Sequence, residues 1–251
     1  MLPHLTNGTG VPLLALHGNF ASSAWWRDLV RDPPPGVRVV APDLPGFAGT
    51  SAPVAITIPA LADAVEAFAR QAKLERPVLL GHSLGGAVAL ELATRDPSAY
   101  RGLVLAASAP LSGLKTPEEN YPLLELMRTT PALVEASFRS LFPSRLPGDF
   151  EEFVRDAARL DARGYSGFAR ALESWRVPER PLGLPTMVLG GMLDALATPD
   201  MVRALAASLG VEAVLLEGRG HGFPQEDPAW FRARLAAFVQ DIKRDVPART
   251  A

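Results

Sequence analysis

"RPVLLGHSLGGAVALELATRDP", residues 76–97, begins as one kind of structure and ends as another. Residues 77–82 form an apolar run through Val78, Leu79 and Leu80, the pattern of a buried strand. From Leu84 the spacing becomes helical, with Ala87, Leu90, Glu91 and Arg95 three and four apart. At the join stands Gly81-His82-Ser83-Leu84-Gly85. A Gly-x-Ser-x-Gly turn between strand and helix forces the serine into a sharply turned backbone, and the glycines let the two backbones pass closely. The hydroxyl then projects above the strand ends, and the positive N-terminus of the following helix faces any oxyanion formed there. The plainer reading is a glycine-rich turn with an incidental serine. A phosphate cradle is the other, but the lysine of G-x-x-x-x-G-K-[ST] is absent and Gly81 and Gly85 lack dinucleotide spacing.

Outward from this turn, short apolar runs alternate with helical patterns. Candidate strands are 12–17, 37–41, 77–82, 102–107, 185–190 and 212–216, and helical stretches lie near 22–31, 58–73, 84–96, 199–209 and 228–242. Nearly continuous hydrophobic strands predict a parallel sheet covered by helices on both faces. Thr57, Thr198 and Asp227 each stand just before a helix that has proline in its first turn, as capping residues do. The alternation breaks once, over 111–181, where four amphipathic stretches follow one another without a strand pattern. This predicts a helical cap at 111–181 on a core made of 1–110 and 182–251, with a frayed tail at 244–251.

Composition excludes several classes. The chain has 251 residues, 48% hydrophobic and 21% charged, with net charge −2, so a sizeable core is available. No basic stripe of the kind nucleic acid requires is present. There is no cysteine, which removes disulfides, thiolate metal sites and cysteine catalysis together. No stretch reaches the roughly 18 apolar residues of a membrane span, and "MLPHLTNGTG" is not a secretory signal. A cytoplasmic protein without metal or cofactor is expected.

If Ser83 is a nucleophile, it needs a base and an acid. Only His4, His17, His82 and His221 are available. His4 lies in the terminal segment, and His17 ends a strand, where it suits fixing the loop by hydrogen bonding. His82 adjoins Ser83 but leaves the strand on the opposite side. His221, in "LEGRGHGFPQEDP", sits in a glycine-rich loop before the last helix and can reach over to Ser83. The acid must hold the imidazole tautomer. Asp194, in "VLGGMLDALATP", follows a strand, whereas the neighbouring strand ends in "LAASAP" without a carboxylate. Asp200 has its own role at a helix start, and Glu217 and Asp227 are too near His221 to orient it. Ser83, Asp194 and His221 thus follow the Ser…Asp…His order.

With "LHGN", "APDLPGFAGTS", "GHSLGG", "GGMLDALATP" and "GHGFPQEDP", nearly the whole chain resembles the α/β-hydrolase fold family, in particular its cap-bearing esterases, enol-lactonases and carboxylesterases. The resemblance implies a mostly parallel sheet of seven strands. With only about eleven residues before the first candidate core strand, the outermost of the family's eight strands is expected to be missing. It also assigns an oxyanion hole to the backbone N–H groups of Leu84 and Asn19, with Phe20 in reserve. Two fixed donors aimed at a developing charge are worth up to ~3–4 kcal/mol each. A Ser nucleophile argues against the dehalogenase and epoxide hydrolase chemistry that uses Asp.

Trp25, Trp26, Phe138, Phe142 and Trp175 are candidates for a substrate pocket, with Leu124, Met127, Leu141 and Phe168 in the same apolar set. Packing of cap on sheet is the competing role for each. An apolar cap suggests a small-molecule acyl or aromatic substrate. The expected activity is hydrolysis of a carboxylic ester, thioester or lactone through an acyl-enzyme. Amide or peptide hydrolysis, a cofactor-free perhydrolase, and a non-catalytic binding protein on the same fold remain alternatives.

Overall fold

A computed structural model describes residues 1–244 of the chain; the end of the predicted tail, 245–251, lies outside the described residues. Seven strands form one sheet: β1 (His4–Gly8), β2 (Val11–Leu16), β3 (Val37–Pro42), β4 (Val78–His82), β5 (Gly102–Ala106), β6 (Thr186–Gly191) and β7 (Ala213–Leu216). Their order is β1-β3-β2-β4-β5-β6-β7. Only β1 runs antiparallel to its neighbour, β3; every other pairing is parallel. The central strands are the near-continuous apolar runs seen in the sequence. Leu13–Leu16, Val78–Leu80 and Leu103–Ala106 are wholly buried, as sheet covered on both faces requires.

The core helices are α1 (Arg27–Arg31), α2 (Ile58–Gln71), α3 (Leu84–Arg95), α8 (Pro199–Ser208), α9 (Phe223–Glu226) and α10 (Pro228–Arg244). Helix α3 packs on β4, β5 and β2 with α2 beside it; α8 lies on β6 and β7, and α1 contacts both β3 and α10. The predicted caps form: Thr57 accepts from Ala60 N–H at 3.2 Å, Thr198 from Met201 N–H at 3.4 Å, and Asp227 from Trp230 N–H at 3.1 Å. Among the described residues, no helix is long and apolar enough to cross a membrane.

Strand β1 is absent from the six candidates read in the sequence. Its HLTNG is short, polar and only half-buried at the sheet edge, so it carries no alternating pattern. The short α9 is likewise unread, hidden in the glycine-rich loop after β7.

Between β5 and β6 lie α4 (Tyr121–Met127), α5 (Pro131–Ser140), α6 (Phe150–Ala157) and α7 (Gly164–Ser174). Helices α5 and α6 start just after Thr130 and Asp149, whereas α4 starts only at Tyr121, well past Thr116-Pro117. The side chains of Thr130 and Asp149 accept no capping bond, and the Asp149 carboxylate turns instead to Arg27, 3.3 Å away. Several bonds fasten this segment to the core. Arg27 also pairs with Glu152, which raises the pKa of the guanidinium and lowers that of the carboxyl. Ser22 Oγ donates to Asp156 at 2.5 Å, and Trp175 Nε1 donates to Glu91 on α3 at 2.9 Å. Phe168 stacks on Phe47 with ring centroids 4.3 Å apart.

Candidate active site

The turn between β4 and α3 is strained at one residue. Ser83 has φ 53° and ψ −116°, a conformation that costs a non-glycine residue about 1–3 kcal/mol. Its flanking glycines are required by collisions with backbone. A Cβ on Gly81 would lie 2.3 Å from Gly85 O, and one on Gly85 would lie 2.4 Å from both Leu16 O and His17 O. The end of β2, the end of β4 and the start of α3 therefore meet at contact distance. Ser83 N–H is anchored on Ala106 O at 3.1 Å, which leaves the side chain facing a cavity.

His221 stands between β7 and α9, 6% exposed. Its Nδ1 donates to Asp194 Oδ2 at 2.8 Å. The other oxygen of Asp194 accepts from Leu196 N–H at 2.8 Å and Ala197 N–H at 3.0 Å, so the carboxylate is gripped on both sides and buried. With Nδ1–H committed, Nε2 is the ring nitrogen with a free lone pair. Ser83 and His221 line the same cavity, and no hydrogen bond joins them in this structure. The rival acids are engaged elsewhere: exposed Asp200 pairs with Arg203 at 2.8 Å, Asp227 with Arg219 at 3.5 Å, and Glu217 is exposed.

The other histidines serve the frame. His82 Nε2 donates to His221 O at 2.9 Å while the ring stacks on Trp25, so it does not serve Ser83; burial, then the neighbouring His221, push its pKa well down. His17 is wholly buried, and burial lowers its pKa to about 4, which keeps it neutral. Its Nε2 accepts from Leu44 N–H at 3.0 Å, so its Nδ1 is the donor, given to Gly18 O at 2.8 Å. This bond has a consequence across the peptide plane. The C=O of Gly18 and the N–H of Asn19 belong to one trans peptide and point in opposite directions, so holding the first aims the second. Phe20, at φ 59°, gives its own N–H to Asn19 Oδ1 at 3.0 Å. Of the two front-loop candidates, Phe20 already has a partner. Leu84, first residue of α3, has an N–H that no turn of the helix uses.

A cavity of about 570 Å³ opens above Ser83. Its wall includes Asn19, Phe20, Trp25, Leu124, Met127, Val134, Phe138, Leu141 and Leu172, and among the described residues Lys115 is its only lysine, arginine or carboxylate side chain. Two of the five predicted pocket residues, Trp25 and Phe138, are on this wall. The other three are not. Trp26 stacks on Phe231 and faces a separate hollow of about 300 Å³. Phe142 packs against Trp25, Phe153 and Gly222, and Trp175 is turned to Glu91. Apolar character at helical spacing marks burial without telling which neighbour a ring meets. Sequence reading also missed Glu226, 3% exposed, which accepts from Gly220 N–H at 2.6 Å beside His221.

A family model described as "Alpha/beta hydrolase family" matches residues 13–234. The chain is similar to the pimeloyl-[acyl-carrier protein] methyl ester esterase of Vibrio campbellii, 29% identical over 86% of this chain and 78% of that protein. Among solved structures it is similar to a thermophilic esterase from Thermogutta terrifontis, with TM-score 0.82, 25% identity, and 96% and 93% of the two chains covered. The enol-lactonase of Burkholderia xenovorans LB400 shares the fold, with TM-score 0.84, 23% identity, and 95% and 96% covered. On the match over residues 13–234 and this architecture, the chain belongs to the alpha/beta hydrolase family.

Proposed function

We propose that the protein is a serine hydrolase that cleaves a carboxylic ester, thioester or lactone of an apolar acyl group. The observation that carries the reading is the His221–Asp194 hydrogen bond on the wall of the cavity that strained Ser83 faces. Ser83 Oγ attacks the carbonyl carbon as His221 Nε2 takes its proton, and Asp194 stabilises the resulting imidazolium. The oxyanion is received by the N–H groups of Leu84 and Asn19. His221 then returns the proton to the leaving oxygen or sulfur, leaving an acyl-serine that water cleaves by the same steps in reverse. These protein groups complete the chemistry without metal or cofactor.

Helices α4 to α7, within residues 111–181, act as the cap over this site. Through Leu124, Met127, Val134, Phe138 and Leu172 they supply an apolar acyl wall. Among the described residues, no Asp or Glu lines the cavity to hold the ammonium of an amino-acyl amide, which favours esters over an aminopeptidase reaction. The similarity to esterases points the same way. A small organophosphonate should modify Ser83, read by intact mass and peptide mapping, and p-nitrophenyl esters should turn over. Modification elsewhere, or none on a folded protein that turns over esters, refutes the mechanism; absence of turnover across esters, thioesters and lactones supports a binding protein instead.

A further inference from the structure

His221 is held by more than its acid. The peptide before Gly220 is fixed at both edges: Gly220 N–H donates to Glu226 Oε2 at 2.6 Å, and Arg219 O accepts from Leu193 N–H at 2.8 Å. The peptide after His221 is fixed likewise, its C=O accepting from His82 Nε2 at 2.9 Å and its Gly222 N–H donating to Leu141 O at 2.8 Å. Two of these grips involve the helical segment inserted between β5 and β6. Leu141 belongs to it directly. Glu226 reaches it through Oε1, which accepts from Ser144 N–H at 2.8 Å and from Ser144 Oγ at 2.6 Å. The contact leaves no slack: a Cβ on Gly220 would lie 2.4 Å from Pro143 Cδ, and one on Gly222 would collide with the Phe142 ring.

Glu226 is thus a buried carboxylate whose oxygens meet three donors, one beside His221 and two on Ser144. We propose that Glu226 is a positioning residue that makes residues 141–144 part of the mounting of the base. The proposal rests on the reading of His221 as that base. Leu141 and Phe138 line the cavity at the end of α5, so an acyl chain lying against them bears on the same short segment that holds Gly222 and Gly220. The segment then contributes to the chemical step as well as to the fit of the substrate.

Glu226→Gln tests this without changing side-chain size. An amide replaces one acceptor by a donor, so in either orientation Gly220 N–H or Ser144 N–H loses its acceptor, although an NH₂ facing Ser144 can still donate to the hydroxyl. The substrate is p-nitrophenyl acetate, too short to use the acyl wall, and the covalent probe is a small organophosphonate. Labelling of wild-type Ser83 tests the hydrolase reading by itself; the Glu226 proposal is judged on the ratio of variant to wild type. A displaced base should lower kcat and the labelling rate together by roughly ten- to a hundredfold. KM for the acetate should stay within about twofold, since uniform binding is untouched. A folded variant with wild-type kcat and labelling rate, altered only in melting temperature or in KM for long esters, overturns the proposal. If Glu226→Gln does not fold, Ser144→Ala takes its place: a fall of several-fold in the labelling rate supports the proposal, and an unchanged rate overturns it.

Discussion

Replacing Asp194 by Asn tests the proposed base most directly, because the structure limits how the amide can sit. Asp194 Oδ1 accepts two backbone N–H groups, from Leu196 and Ala197, and Oδ2 accepts from His221 Nδ1. If the Asn carbonyl keeps the two backbone donors, its NH₂ faces His221 and forces the proton onto Nε2. The lone pair that should deprotonate Ser83 is then gone. If the amide turns over to restore the tautomer, its NH₂ faces Leu196 and Ala197 instead. Each unpaired buried N–H costs about 1–3 kcal/mol, so the productive arrangement lies about 2–6 kcal/mol uphill. At 1.36 kcal/mol per decade, that is a fall in kcat of roughly 30-fold at least and about 3 × 10⁴-fold at most. Loss of the charge that supports the imidazolium adds to it, which places the expectation in the upper part of that range. The assay is the burst and steady-state rate on p-nitrophenyl butyrate, with near-UV circular dichroism to establish the fold. A folded Asp194→Asn with kcat within about tenfold of wild type would refute the reasoning, and the acid would have to be sought elsewhere.

Two further expectations follow from burial. Burial holds His17 at about 4 against 6.5 for an exposed imidazole, so the unfolded chain takes up a proton between those values that the folded chain refuses. Stability should therefore be whole above about pH 6.5 and decline as pH falls toward 4, by about 3 kcal/mol in total. Buried His82 adds in the same direction. Urea unfolding of wild type and His17→Gln across that window measures it, and an equal pH slope in both proteins would contradict it. In a C2–C10 ester series, Phe138→Ala should shift preference toward longer chains by a few-fold per carbon, since a buried CH₂ is worth roughly 0.8 kcal/mol. Trp175→Ala, off the cavity wall, should lower the melting temperature and leave the profile flat; the reverse outcome would mean that the cavity above Ser83 does not take the acyl chain.

What could be read from the sequence is what local pattern encodes. A strand changing to a helix around Gly81-His82-Ser83-Leu84-Gly85 is visible because the change of period and the glycine spacing fall within a few residues, although the collisions that demand Gly85 come from Leu16 and His17 at the end of β2. Asp194 and His221 are visible because each stands just past a strand, where few other ionisable residues compete. Strand β1 is not, since a polar edge strand owes its place to pairing with β3, such as Leu5 opposite Ala41, and not to its own residues. Nor does spacing tell Phe138, on the cavity wall, from Phe142 and Trp175, which point into packing. The bond between Glu226 and Ser144 spans 82 positions, and no short motif announces it.

The geometry at Ser83 also bears on how this site would respond to redesign. Its backbone angles are imposed by the chain on either side, and its side chain points into the cavity, whereas Gly81 and Gly85 are boxed in by main-chain oxygens. Functional novelty is therefore cheapest at position 83 itself and on the cavity wall, where a new side chain meets open space. A randomised library should leave the two glycines untouched, because most of their variants would be lost to misfolding before any new chemistry could be selected.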